Sequence, residues 1–146
     1  MINDILNRLI EIFKTIDSFK GSDGVYRVYD YECSMPEGYP AILVMAMRGE
    51  ESVLDNLRNL MRHSFLVRVI QEKIPESEGG FGPEKAERIS RQRAEDVINK
   101  IHEDNDLGLD NVLRTTISYE FGKHPSEPRI VIDFTIVVET TAEVII

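Results

Sequence analysis

Val112-Leu113-Arg114-Thr115-Thr116-Ile117-Ser118-Tyr119-Glu120-Phe121, followed by the longer run from Arg129 to Val144, is the stretch whose reading decides the fold. Both runs are rich in β-branched and aromatic residues, the composition of strands. The segment Gly122-Lys123-His124-Pro125-Ser126-Glu127-Pro128 joins them as a loose, hairpin-like connection, since proline cannot donate to a ladder. Just upstream, Pro83 to Asp104 carries an apolar stripe of Ala86, Ile89, Ala94, Val97, Ile98 and Ile101 at helical spacing. Pro83 suits the first turn of that helix, because its missing N–H is an orphan there anyway. Helix and strands together predict an α+β domain. Its large paired strands, with no cluster of catalytic residue types, point toward an assembly part rather than an enzyme.

Working toward the amino terminus, Ser64 to Gln71 reads as a strand with Phe65, Val67 and Val69 on one side and Arg68 on the other. Tyr39-Pro40 opens a strand from Ala41 to Met47, nearly all apolar, which implies cover on both faces. Val25 to Cys33 alternates and reads as another strand. Residues 4–20 read as a helix, with Ile5, Leu6, Leu9, Ile10, Phe13 and Ile16 recurring at three- and four-residue steps. Asn3 or Asp4 is its expected cap and Gly21 to Gly24 its expected end. Residues 51–62 leave two readings open. Val53, Leu54, Leu57, Leu60 and Met61 fit a helix of about three turns, or the segment is a loop leading into a strand near Met61. Asn105 to Asn111 reads as a turn. The expected architecture is one domain, 1–146, with a sheet of four or five mostly antiparallel strands packed by helices 4–20 and 84–104.

The 146 residues suffice for one core, roughly 68–70 % of the unfolded surface being buried at this size. Net charge is −9, from 26 acids against 17 bases. Tight phosphate binding calls for the opposite sign, whereas a pore that DNA slides through does not. Cys33 is the only cysteine, so no intrachain disulfide is expected, and a buried structural thiol is its default role. The first 20 residues lack the basic start and unbroken apolar stretch of a signal peptide. No run approaches the length of a membrane span, so no membrane partner is expected.

The chemical motifs fail on spacing. Gly80-Phe81-Gly82 before a helix resembles a phosphate cradle, but Lys85 stands where the third glycine belongs, among acids that repel phosphate. His102-Glu103 begins a zinc-protease pattern that Asp106 breaks. Asp104, Asp106 and Asp110 lack the glycine and glutamate of a calcium loop, where Leu109 and Thr115 stand instead. Cys33 with one of His63, His102 and His124, or Glu72 with Glu120 or Glu139, has no supporting spacing. No catalytic, metal or cofactor-binding residue is therefore assigned, and no cofactor is expected. Two features suggest a partner interface. The 72–82 loop carries Glu78 and an aromatic, Phe81, between glycines; Phe81 either anchors in a partner or folds back. The chain closes on Val144-Ile145-Ile146, an apolar end that docks on its own core or on a neighbour.

The order of elements resembles the tail terminator, or tail-completion, proteins of long-tailed bacteriophages. The residues that carry this are Gly38-Tyr39-Pro40-Ala41-Ile42 at a strand start, the strand Ser64 to Glu72, the helix and leucine turn Ala86 to Leu109, and the last strand Ile130 to Glu139. A long Gly/Glu-rich loop before the helix departs from that pattern. The resemblance implies a non-enzymatic virion protein, assembled in the host cytoplasm. It implies a homohexameric ring on the head-proximal end of the tail tube, which ends tube growth and offers a surface for head joining. Its implied partners are itself, the tail tube protein and a head-side neck or connector protein, with DNA passing through the lumen unbound. Another neck protein (adaptor or stopper) and a small ligand-binding regulatory α+β module are the alternatives.

Overall fold

A computed structural model describes residues 1–21, 23–33, 36–53, 58–72, 83–122 and 129–143, with backbone alone at residues 72, 83–85, 142 and 143. The elements are α1 (Ile2–Phe13), β1 (Arg27–Tyr29), β2 (Ala41–Val53), β3 (Arg58–Glu72), α2 (Pro83–Glu103), β4 (Val112–Gly122) and β5 (Arg129–Glu143). They form a five-stranded sheet of order β1-β2-β3-β5-β4. Only the β1–β2 pair is parallel. The fold is α+β, as the strand and helix runs predict.

Alternation along the central strands creates the buried face. In β3, Phe65, Val67 and Val69 point to it; in β5, Ile130, Ile132, Phe134, Ile136 and Val138 do the same; β2 adds Ile42 and Val44. Both helices lie on this face. α1 contributes Ile5, Leu9, Ile12 and Phe13, and α2 contributes Ala86, Ala94, Val97 and Ile101. The expected α2 stripe is right except that Ile89 and Ile98 are only half-buried, while Ser90 is buried and donates to the Glu87 carbonyl at 2.6 Å. No described helix is long and apolar enough to cross a membrane.

Polar ties lock α2 onto the sheet. Gln71 on β3 donates to the Ala86 carbonyl at 2.6 Å and accepts from Arg93. Arg93 also donates to the Ser18 carbonyl at 3.0 Å, and Ser18 donates to Asp96 at 2.8 Å. Burial pushes the Arg93 guanidinium down to about 10, partly offset by Asp96. At the far end of α2, Arg8 of α1 donates to the Leu107 carbonyl at 2.7 Å and to Asp104 at 3.0 Å. Leu107 is fully buried at φ 56°. This left-handed conformation costs a leucine roughly 1–2 kcal/mol, and its burial in the core offsets that cost.

Several expectations change. The first helix stops at Phe13 rather than at 20, and a 3₁₀ turn, Asp17–Phe19, follows. Ile16 and Phe19 stay buried because this turn re-aims them into the same core. Neither Asn3 nor Asp4 caps the helix, which starts at Ile2 with Met1 in the cap position. The 25–33 strand shrinks to Arg27–Tyr29, since only those residues find a partner in β2. Within 51–62 the described residues are strand, not helix: β2 runs on to Val53 and β3 begins at Arg58. Tertiary pairing decides this, because β5 offers β3 a partner all the way from Glu72 to Arg58. Glu72 closes β3 rather than opening a loop. Cys33 is half-buried, not buried.

Phe134 sits at the centre of this core and is fully enclosed. Phe134→Ala is expected to cost about 3–5 kcal/mol, read as a lower urea midpoint at unchanged slope. A loss under about 1 kcal/mol would mean that the described core is wrong.

Candidate assembly surface

The helical layer covers only part of the sheet. Past Ala46, β2, β3 and β5 run on as an arm, with pairs from Arg48↔Ser64 to Val53↔Asn59 on one side and to Arg58↔Glu143 on the other; β4 stays beside β5 as far as Val112↔Thr140, and beyond that pair the arm is three-stranded. All of β2 from Ala46 to Val53 is exposed. A bulge between Ala46 and Arg48 marks where β2 leaves the core. The extra residue, Met47, is 61 % exposed. Bulges bend and twist a strand where its role changes.

Charge holds the sheet's face opposite the helices. Glu139 accepts from Arg114 through both oxygens, at 2.9 and 3.1 Å, and from Arg62 at 3.2 Å. This rung crosses three strands, β3, β5 and β4. Six residues further along β3, or about 20 Å, Arg68 donates twice to Asp133, at 2.8 and 3.1 Å. On the arm, Arg48 pairs with Glu50, and Asn59 donates to Glu51. Register explains the pattern, since Glu139 lies opposite Arg62 and Asp133 opposite Arg68 on the same face.

At the root of the arm, on the helix side, His63 is buried. Its Nε2 lies 3.4 Å from the Thr140 hydroxyl, which donates to Met1 Sδ at 3.2 Å. Beside it is a small cavity of about 240 Å³, lined by Ile2, Met47, Gly49 and Phe65 among others. Burial lowers the His63 pKa, and the amino-terminal ammonium lowers it further.

The residues singled out for chemistry do not come together. His63 meets Thr140 and Met1, and Cys33 stands beside Tyr31, so no thiol–imidazole pair joins these two. His102 is exposed, and His124 lies outside the described residues. Asp104 is held by Arg8, and Asp106 accepts from the Gly108 N–H at 2.9 Å as a turn carboxylate. Glu72 lies opposite Arg129 and Glu139 opposite Arg62. Ten residues of β3 thus separate the two acids, about 33 Å, which rules them out as a carboxylate pair. Among the described residues no group of three or more His, Cys, Asp or Glu converges to hold a metal. The proposed interface residues Glu78, Phe81, Val144, Ile145 and Ile146 all lie outside the described residues. Sequence reading missed the arm itself. Its signal was there as opposed charges, Glu50 against Arg62, but it shows only once the register is known.

The chain matches no protein-family model and no curated protein.

Two measurements probe this surface. The Glu139 carboxyl is held below its ordinary range, first by Arg114 and then by Arg62, against the upward push of burial. Its contribution is therefore present above the ordinary glutamate pKa and is lost as pH falls through the lowered folded value. Glu139→Gln is expected to cost about 1–3 kcal/mol at pH 7 and to flatten the acid limb of a stability–pH curve; an unchanged curve would remove the rung from the account. His63 has the opposite charge chemistry but loses stability in the same direction. Its neutral form is favoured when folded, so stability falls as pH drops below about 6.5. His63→Gln should reduce the slope below about pH 6.5, measured by denaturant titration at each pH.

Proposed function

We propose that this protein is a structural virion subunit, a tail terminator that assembles into a ring on the head-proximal end of a phage tail tube. One observation carries the reading furthest. A three-stranded arm leaves the core with its outer strand wholly exposed from Ala46 to Val53. That outer strand buries little of its own chain, so its use comes from what it meets. A ring built of head-to-tail contacts closes by rotation. One rim then matches the last ring of the tube, and the other no longer does, so addition stops. The net charge of −9 suits a lumen that DNA crosses without sticking. The tube protein and a head-side connector are the partners, and an adaptor or stopper at the same junction is the nearest variant of this reading.

A second reading has its own observation. An open groove of about 670 Å³ runs between α1 and residues 109–111, lined by Asp4, Arg8, Glu11 and Leu109 among others. It favours a small ligand-binding regulatory module. Thermal-shift screening with nucleotides and amino acids separates the two, since a specific shift without ring formation selects the module.

Electron microscopy of the purified protein is expected to show closed rings, and tails assembled without it are expected to vary in length. Tails of uniform normal length in its absence would defeat the terminator role.

A further inference from the structure

Among the described residues, the sheet ends in two edges that no further strand covers. β4 is the last strand on one side. Thr115 shows which of its backbone groups face outward: its N–H donates to Asn105 Oδ1 at 3.3 Å, and its carbonyl accepts from Asn105 Nδ2 at 3.0 Å. Asn105 precedes β4, so these groups point away from β5. Outward and inward groups alternate along a strand, and the β4–β5 register is regular from Arg114 to Gly122. Ile117, Tyr119 and Phe121 therefore also aim their N–H and carbonyl groups outward. Among the described residues no strand pairs with them. On the other side, β1 covers β2 only at Ala41, Ile42 and Leu43. From Val44 to Val53 the outer edge of β2 meets no described strand.

Both edge strands also carry exposed apolar side chains, as do Met1, Ile2, Val25 and Tyr31 elsewhere. Met47 and Val53 on β2 are 61 % and 80 % exposed, and Leu113 and Tyr119 on β4 are 52 % and 53 % exposed. An unpaired edge that also shows apolar side chains is a template for another strand.

We propose that β4 of one copy pairs with the outer edge of β2, Val44 to Val53, of the next copy, so that one sheet runs from subunit to subunit. This rests on the ring reading above and names its contact. Strand direction fits. β2 and β5 run one way, β3 and β4 the other. Continuing the sheet edge to edge brings β4 against an oppositely directed β2, an antiparallel ladder. The occupant is a second copy because the two open edges are the opposite ends of one sheet, matched in direction and in exposed apolar side chains. The contact joins unlike surfaces, as ring closure requires. A two-fold β4–β4 contact would close at two copies and leave the Val44 to Val53 edge of β2 unused.

Tyr119→Pro tests this directly. It removes an outward N–H and leaves the inward ladder to β5 intact, the setting in which an edge strand tolerates proline. Met47→Lys is the second variant, placing a charge on the other edge at a residue the core does not use. Light scattering is expected to show a ring mass for the wild type and the mass of one chain for both variants, with thermal unfolding of at least one variant close to wild type. In a Cys33→Ser background, Met47→Cys with Tyr119→Cys is expected to give, on oxidation, a ladder of covalent multimers that needs both cysteines. Rings that persist at full mass in both variants, with no cross-linking, overturn the edge contact and leave the ring reading standing. A dimer abolished by Tyr119→Pro but not by Met47→Lys overturns it in favour of β4–β4 pairing. A wild type that stays monomeric at every concentration overturns both the contact and the ring.

Discussion

The pairing of β3 with β5 is the constraint on which the rest of the structure depends. It holds from Arg58↔Glu143 to Glu72↔Arg129 without a break in register. Fifteen residues per strand is long for a sheet, where five or six is usual. Because side chains alternate, this one register places Phe65, Val67 and Val69 beside Phe134, Ile132 and Ile136 under the helices. The same register puts Arg62 beside Glu139 and Arg68 beside Asp133 on the far face. A slip of one residue would bury those charges and expose the core.

The two faces serve different ends. Under α1 and α2 the sheet is apolar, and burial there, at about 25 cal/mol per Å² of apolar surface, supplies the driving force for folding. On the other face, ion pairs and hydroxyls keep long strands soluble while specifying their alignment. Glu139 matters most here, because one carboxylate joins β3, β5 and β4. α1 reaches only the root of the arm, at Met1 and Ile2 beside His63 and Thr140, so beyond it the strands are held by ladder hydrogen bonds and cross-strand charge. Such a region gains most from an external partner.

Much of the fold was legible in residue order. The apolar alternation of β5 and the stripe of α2 identify both elements, because each period is long and uninterrupted. The leucine turn after α2 was legible too, though not that Leu107 would adopt φ 56°. The segment 51–62 was not. Val53, Leu60 and Met61 satisfy a helical spacing as well as a strand spacing, and local pattern cannot choose between them. Cys33 misled for a similar reason: residue type alone carries a prior for burial but not a position.

By itself, the sequence determined the elements whose hydrophobic period is unambiguous, the class of fold they build, and the failure of every metal and nucleotide motif on spacing. Tertiary structure alone decided the length of β2 and β3, the parallel placement of β1, the convergence of Arg62 and Arg114 on Glu139, and which edges stay open among the described strands. The physical reason is range. Periodicity is set by neighbours three or four residues apart, whereas register is set by partners such as Arg62 and Glu139, which meet only after the chain has closed on itself.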